Sequence, residues 1–387
     1  MSGTESITGS RWSVLPDGAE RLDRFSLAEG FVAGAAASGI KADGAFDLGI
    51  VACEDATPAS AIVLTTNAVA AAPVRLCRES LDQQHIRAVV VTSGNANCAT
   101  GAEGLEAAGR IRDGAAAGLD FEPRSVAIAQ TGVIGVQLDP DPVAAEAERL
   151  AGRLDRDRAG EFAESILTTD LGTKMAAVRK DGVTVSAQAK GAGMIEPGMA
   201  TMLCFIQTDA MVGDPGPVLA GATAGSFNRI SVDGQMSTND TVLLQASGRS
   251  GLPLPEGLLD AITLEMALAI VADGEGATRI CRVSVEGAAD DAEADRVARA
   301  IGNSPLVKTA LYGRDPNWGR ILQAAGAALA GQDLGDLGRE AVRADELGGP
   351  ADEVEIGLDL GRGSGRGHAY FSDLNHRYIE INAEYTT

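Results

Sequence analysis

The residues with the clearest chemical potential lie in one run, from Lys190 to Phe205. Its first half is rich in glycine, which disfavours regular structure and predicts a loop. Its second half, Thr201 to Ile206, is mostly apolar and predicts a buried strand. Thr201 stands where the loop meets the strand. Its hydroxyl could be a nucleophile, or it could simply open the strand.

Four other positions could serve the same chemistry, and each also has an ordinary interpretation. Thr131-Gly132 follows a predicted strand and could offer a hydroxyl and a backbone N–H to an oxyanion, or form a strand-ending turn. Thr168-Thr169-Asp170 alone indicates a helix stop with an N-cap. Lys190 could be a solvated lysine beside a loop. Glu275 could bind a substrate ammonium group or lie on the surface.

Taken together, these stretches closely resemble the motifs of the ornithine acetyltransferase family, the glutamate N-acetyltransferases of the cyclic arginine pathway. The matching stretches are 131–135, 168–170, 190–205, 227–234, 237–241, 273–278, 303–310, 315–320 and 381–387. The resemblance extends from about residue 15 to Thr387. It departs at Thr92, where the family commonly has asparagine, and at Ser372, where it commonly has cysteine. The region 331–355 is shorter than usual for the family, and it precedes the last strands, which would present Asn382 and Thr387.

The resemblance implies a role for each matching residue. The chain would cut itself between Ala200 and Thr201, and Thr201 would become the nucleophile. Thr131 and Gly132 would form the oxyanion hole. The residues implied to bind substrate are Thr168, Lys190, Thr201, Glu275, Asn382 and Thr387. The stretches 227–234, 237–241 and 303–310 have no clear chemical task and are interpreted as structural support.

A cut before Thr201 has a chemical purpose. A threonine hydroxyl is a weak nucleophile and needs a base beside it. Attack of the hydroxyl on the Ala200 carbonyl gives an ester that water opens, and this frees the α-amine of Thr201. Such an amine has an ordinary pKa of about 7.7–8.0, so it can act as general base near neutral pH. Gly198 would make the strained turn accessible, and Pro197 would limit its alternatives.

The implied reaction is acetyl transfer from N-acetylornithine to glutamate, by a ping-pong course through an acetyl-threonine ester. The resemblance leaves open whether acetyl-CoA is also a donor, and whether the chain serves a specialised pathway. Two alternatives remain. One is an N-terminal-nucleophile amidase or peptidase with water as acceptor, and the other is an uncut binding protein.

The fold implied by the resemblance is α/β, an αββα-type layered sandwich with a smaller α/β C-terminal domain. Residues 1–280 would form the catalytic domain and residues 281–387 the second domain. The cut would give an alpha chain, 1–200, and a beta chain, 201–387, assembled as two copies of each.

The composition of the chain argues against several other classes of function. The chain has 387 residues and a formal net charge of −22, which argues against nucleic acid as a partner. Five scattered cysteines predict reduced, buried thiols, and three histidines without ligand spacing predict no metal site. No nucleotide-binding motif is present, and we expect no cofactor. The chain shows neither a signal peptide nor a long apolar run, so we predict a cytoplasmic protein.

Alternating strands and helices must position these residues. The strands predicted by composition are 61–67, 88–92, 126–129, 183–189, 201–206, 279–286, 355–360 and 378–382. The predicted helices are 72–84, 101–117, 142–154, 160–167, 218–228, 258–273 and 292–301. Residues 315–320 are predicted to form a loop.

Overall fold

The structure is a computed structural model, and it describes residues 10–196, 202–335 and 337–384. Three of the predicted site residues, Ala200, Thr201 and Thr387, lie outside the described residues. The remaining predicted site residues lie within them.

A six-stranded sheet carries the two ends of the central run. In spatial order its strands are β1 (Glu20–Arg21), β7 (Lys174–Lys180), β8 (Val183–Lys190), β9 (Leu203–Thr208), β11 (Thr241–Ala246) and β4 (Ala59–Leu64). Neighbouring strands are antiparallel except β9 and β11, which are parallel. Strands β8, β9 and β11 are buried along their whole length, as apolar and β-branched sequences favour.

A four-stranded sheet carries the predicted oxyanion turn. Its strands, in spatial order, are β2 (Phe31–Ala36), β3 (Leu48–Cys53), β5 (Ala88–Asn95) and β6 (Val126–Val133). Strands β5 and β6 are parallel, so their carboxyl ends meet at one edge of the sheet. Thr131 and Gly132 lie at this edge.

Helices pack against both sheets, mostly on their outer faces. Those of the first 280 residues are α1 (Ala72–Ser80), α2 (Gly101–Leu119), α3 (Pro140–Ala151), α4 (Ala159–Ser165), α5 (Pro215–Gly225) and α6 (Leu258–Ala272). Helices α1, α2 and α3 contact the four-stranded sheet, while α5 and α6 contact the six-stranded sheet. Phe205 and Leu243 point toward the four-stranded sheet, and the alternate residue Cys204 packs among residues of α6. This order of layers confirms the predicted αββα sandwich.

A third sheet follows near the C-terminus. Its strands are β10 (Ile230–Ser231), β15 (Gly365–Ser372), β12 (Ile280–Ala288), β14 (Glu353–Asp359) and β13 (Val342–Arg343). Helices α7 (Asp291–Asn303), α8 (Pro305–Tyr312) and α9 (Trp318–Ala328) pack with it around a separate apolar cluster. Because β10 comes from before residue 280, the two parts of the chain share this sheet. The division into domains 1–280 and 281–387 stays a prediction.

Two sequence predictions are wrong. Residues 378–382 are not a strand but part of a helix, α10 (His376–Glu384). Their isoleucines favoured a strand, but the Asn375 side chain accepts a hydrogen bond from the Arg377 N–H at 2.9 Å, as a helix N-cap does. The predicted loop 315–320 ends early, because α9 already begins at Trp318.

The remaining predicted elements mostly match the structure, which also contains elements without a predicted counterpart, such as strands 174–180, 241–246 and 365–372 and the helix α8. All five cysteines are buried and form no disulfide. Within the described parts of the chain, no helix is both long and apolar enough to cross a bilayer. Nor do the described residues contain a group of three or more histidine, cysteine or acidic side chains suited to a metal ion.

Candidate active site

Lys190 lies at the centre of the predicted site. It is the last residue of β8 and pairs directly with Leu203, the first residue of β9. The loop that contains the predicted cut therefore leaves and re-enters the six-stranded sheet at neighbouring positions. Lys190 is 2% exposed, so its side chain is directed into the protein and not to solvent.

Two hydroxyl groups from different elements meet the Lys190 ammonium. Its Nζ lies 2.7 Å from the Thr168 Oγ1 and 3.3 Å from the Thr131 Oγ1. Thr131 belongs to β6, and Thr168 follows α4. The structure thus brings together three residues that were selected from separate sequence motifs. An ammonium group can only donate, so both hydroxyl oxygens act as acceptors here.

A buried network of ionic contacts lies next to the Lys190 side chain. Asp170 accepts hydrogen bonds from the Lys174 ammonium and from the Gly191 N–H, both at 2.7 Å, and it lies 3.9 Å from the Lys190 Nζ. Lys174 also contacts Asp273 at 2.5 Å. Burial alone would raise the pKa of Asp170, but the Lys174 and Lys190 charges outweigh it and hold this pKa well below its usual value. Asp170 is therefore an ionised counter-charge.

The same network sets the charge of Lys190. Burial lowers the pKa of Lys190, and the neighbouring Lys174 lowers it further. The Asp170 and Glu275 carboxylates oppose this change. Lys190 is therefore a desolvated group with Asp170 as its counter-charge, and its polar interactions are stronger than they would be in water.

Gly132 adopts a backbone conformation that requires glycine. Its φ is +132°, and it lies opposite Gly94 where β5 and β6 end. A Cβ at this position would collide with the Gly94 carbonyl carbon and lie 2.5 Å from the Asn95 nitrogen. The close approach of the two backbones fixes the turn that holds the Thr131 hydroxyl beside Lys190.

Glu275 and Asn382 form a second polar group near the loop. The Asn382 Nδ2 donates to the Glu275 carboxylate at 2.7 Å, and the Glu275 N–H donates to the Ala192 carbonyl at 2.8 Å. Gly193 packs against this carboxylate so closely that a Cβ there would lie 2.5 Å from the Glu275 Cδ. Asn382 itself is exposed, on α10.

The loop before the predicted cut is fixed by Asp233. Its carboxylate accepts the Met194 N–H at 2.6 Å and the Ile195 N–H at 2.9 Å, and the Tyr378 hydroxyl lies 3.4 Å away. Glu196 in turn accepts a hydrogen bond from the Asn303 amide at 3.0 Å. The side chains of Asp233 and Asn303, from distant parts of the sequence, therefore hold residues 194–196.

Sequence reasoning gave no task to several of these groups. It did not single out Lys174 or Asp273, and it assigned Asn239 and Asp240 only to structural support. Met202 N–H donates to Asp240 at 3.0 Å, and the Asn239 amide reaches the strand end beside Thr131. The motif 237–241 was the only signal in the sequence for this loop.

A sandwich with a hydroxyl, a glycine turn and a buried ammonium gathered at its strand ends is the arrangement of an acyl-transfer enzyme. The profile of the ArgJ family matches residues 32–387. The chain belongs to this family. The predicted family is thereby confirmed, as is the prediction of an acyltransferase of the glutamate N-acetyltransferase type.

The curated relatives match this chain over more than nine tenths of its length. The arginine biosynthesis bifunctional protein ArgJ of Gloeobacter violaceus is 42% identical over 397 residues, which cover 94% of this chain and 97% of the relative. The protein of the same name from Thermus thermophilus is 43% identical, covering 93% and 99%. A crystal structure of Mycobacterium tuberculosis ornithine acetyltransferase with ornithine is 34% identical, covering 46% of this chain and 98% of that chain, with a TM-score of 0.44.

Proposed function

We propose that this enzyme transfers the acetyl group of N-acetylornithine to glutamate, through an acetyl ester on Thr201, in arginine biosynthesis. Membership of the ArgJ family supports the proposal. The single structural observation that carries it is the position of Lys190, which contacts Thr131 and Thr168 and pairs with the residue two places after Thr201.

The first step is self-cleavage. The Thr201 Oγ attacks the Ala200 carbonyl carbon, the C–N bond breaks, and the acyl group moves from nitrogen to oxygen. Water then hydrolyses the ester, which leaves a carboxylate on Ala200 and a free α-amine on Thr201. This amine serves as the general base for the hydroxyl in later turnovers. The products are an alpha chain, 1–200, and a beta chain, 201–387.

The oxyanion is stabilised by Thr131 and Gly132. Because the Lys190 ammonium donates to the Thr131 Oγ1, the single proton of Thr131 must point to another acceptor. That proton is free for the oxyanion, together with the Gly132 N–H. The positive charge behind the hydroxyl adds to this stabilisation in a buried site.

The remaining groups suit amino-acid substrates. Glu275 can pair with a substrate ammonium group, held in place by Asn382. Lys190 and Thr168 can bind a carboxylate, and Thr387 would complete the pocket. Thr201 takes the acetyl group, ornithine leaves, and glutamate enters the same pocket to accept the acetyl group on its amine. Water must stay out between these steps, since it would hydrolyse the ester.

Three further expectations belong to this proposal. The two chains assemble as two alpha and two beta copies, the protein is cytoplasmic, and no cofactor takes part. Acetyl-CoA would act as a second donor only if the same threonine ester can form from a thioester.

The test combines mass spectrometry with turnover. The parent protein should show two chains under denaturing conditions and release ornithine continuously only when glutamate is present, with no more than one equivalent per Thr201 without it. Thr201→Ala should show one intact chain and no turnover, while Thr208→Ala, at the other end of β9, should still be cut. Fragments in Thr201→Ala would refute the mechanism. Acetate release without glutamate would instead identify a hydrolase.

A further inference from the structure

One loop joins the two halves of the candidate site. Residues 237–240, here the 237–240 loop, lie between the strand end that carries Thr131 and the start of β9. The Asn239 side chain is 4% exposed, and its Nδ2 donates to the Ala96 carbonyl at 2.7 Å and to the Gln130 carbonyl at 2.8 Å. Gln130 directly precedes Thr131. Both N–H groups of this amide are therefore used to hold the four-stranded sheet.

The next residue holds the other sheet. Asp240 is fully buried, and its Oδ1 accepts the Met202 N–H at 3.0 Å. The Thr241 N–H donates to the Met202 carbonyl at 3.1 Å. Met202 is thus held on both sides, and it directly follows Thr201. The Asp240 backbone is itself fixed, because its carbonyl accepts a hydrogen bond from the Thr65 N–H at 3.0 Å.

We infer that Asn239 and Asp240 are positioning residues, which set the distance between the Thr201 nucleophile and the Thr131–Gly132 oxyanion hole. This inference rests on the proposed function. Met202, which follows the proposed nucleophile in sequence, leads into β9 of the six-stranded sheet, whereas Thr131 and Gly132 belong to β6 of the four-stranded sheet. The Lys190–Thr131 hydrogen bond already crosses between these sheets, and the adjacent Asn239 and Asp240 side chains add directional bonds to the end of β6 and to Met202.

The charge state of Asp240 fits such a role. Burial raises its pKa well above the ordinary value, and the nearby Ser237 and Thr65 hydroxyls and the Lys190 charge only partly oppose this. Its Oδ2 accepts no hydrogen bond from any described residue. A raised pKa favours the neutral acid, which can still accept the Met202 N–H and adds less negative charge to the buried site than a carboxylate does.

The test separates alignment from folding. Asp240→Ala and Asn239→Ala should each lower kcat of the cut protein by about 100-fold, with KM changed little, because misplacement by about 1 Å has this effect. Asp240→Asn keeps an acceptor oxygen for the Met202 N–H, so it should recover most of the kcat lost in Asp240→Ala. The double alanine variant should lose little more than the worse single variant, because both act on one distance.

A matched control comes from the other end of β9. Asp209 is also a buried aspartate that accepts a backbone N–H, from Thr184 at 2.8 Å. Asp209→Ala should lower the melting temperature without a comparable loss of kcat. Equal kcat losses in Asp209→Ala and Asp240→Ala, or parental kcat in both loop variants, would overturn the inference.

Two further results keep this test independent of the proposed function. If Asp240→Ala does not fold, the other two variants test the inference. Parental kcat in Asn239→Ala would contradict it, and so would a loss of about 100-fold in the kcat of Asp240→Asn. Acetyl transfer by Thr201→Ala would refute the nucleophile itself, whatever the loop variants do.

Discussion

The Lys190 ammonium donates a hydrogen bond to the Thr131 hydroxyl across 3.3 Å, between two different sheets. This contact links a residue expected to bind substrate with one expected to stabilise the oxyanion. The two roles therefore need not be separate. Lys190 can bind substrate and also determine where the Thr131 proton points.

Replacement of Lys190 tests this dual role. Lys190→Met should lower kcat by about 10²-fold, the loss typical of one oxyanion donor, in addition to raising KM. Lys190→Arg should retain part of kcat, because a guanidinium also donates to hydroxyl oxygens. Steady-state kinetics on the cut protein provide both constants. An effect confined to KM would show that Lys190 binds substrate only.

Replacement of Gly132 tests the turn. Gly132→Ala should lower the free energy of unfolding by about 2–4 kcal/mol, because the added Cβ collides with the β5 backbone and φ is positive. The extent of self-cleavage and the kcat of Gly132→Ala should fall as well. Gly135 also has positive φ but no atom within 4 Å of its added Cβ, so Gly135→Ala reports the φ effect alone. Equal losses in both variants would contradict the importance of the close approach.

Replacement of Glu275 tests recognition of the substrate ammonium. Glu275→Gln keeps the shape and can still bind Asn382, but it removes the charge. KM for N-acetylornithine should rise about tenfold, the size expected for a charge-assisted hydrogen bond. Asn382→Ala should have a smaller effect, and the two changes should not add. An unchanged KM in Glu275→Gln would exclude this residue from the pocket.

Lys308 should make stability depend on pH. It is buried, and its ammonium donates to the Ser372 carbonyl at 2.7 Å. Burial lowers the pKa of Lys308 to about 7, although Asp233, Asp373 and Cys281 oppose this. In the unfolded chain the pKa is about 10.4, so between pH 7 and 10 only the unfolded state holds this proton. Stability from this group must therefore rise with pH in that window.

Denaturant unfolding at pH 7.5 and 9.5 measures this effect, in the Thr201→Ala background so that the chain stays intact. The difference in free energy of unfolding between the Lys308 protein and Lys308→Met should change by up to about 2.7 kcal/mol across these two pH units. Lys180, which binds the Asp17 carbonyl at an exposed position, provides the control Lys180→Met. Parallel pH profiles for Lys308 and Lys308→Met would show that Lys308 is charged in the folded protein.

Local sequence patterns predicted the elements on which the site is built. Glycine content and a following apolar run located the loop and β9, and β-branched runs located β5, β6 and β8. The contacts between elements could not be predicted in this way. Asn239 contacts Gln130 across 109 positions of sequence, and Lys174 contacts Asp273 across 99. Neither contact produces a periodic pattern or a characteristic spacing in the sequence, because these residues meet only when the layers of the fold pack together.

The C-terminal error has a related cause. The sequence 376–384 contains isoleucine and tyrosine, which favour a strand when a sheet edge is available. In the structure this segment instead forms a capped helix that places Tyr378 near Asp233 and Asn382 near Glu275. The tertiary surroundings decided the conformation, and not the local preference.

The pairing of Lys190 with Leu203 has a consequence for the finished enzyme. After the proposed cut, β8 would belong to the alpha chain and β9 to the beta chain, as neighbours in the middle of a continuous hydrogen-bonded sheet. Separation of the two products would require rupture of that sheet and exposure of its interior. When two differently tagged preparations of the cut protein are mixed, they should therefore not exchange alpha and beta chains. Each alpha chain should stay bound to the beta chain with which it was synthesised.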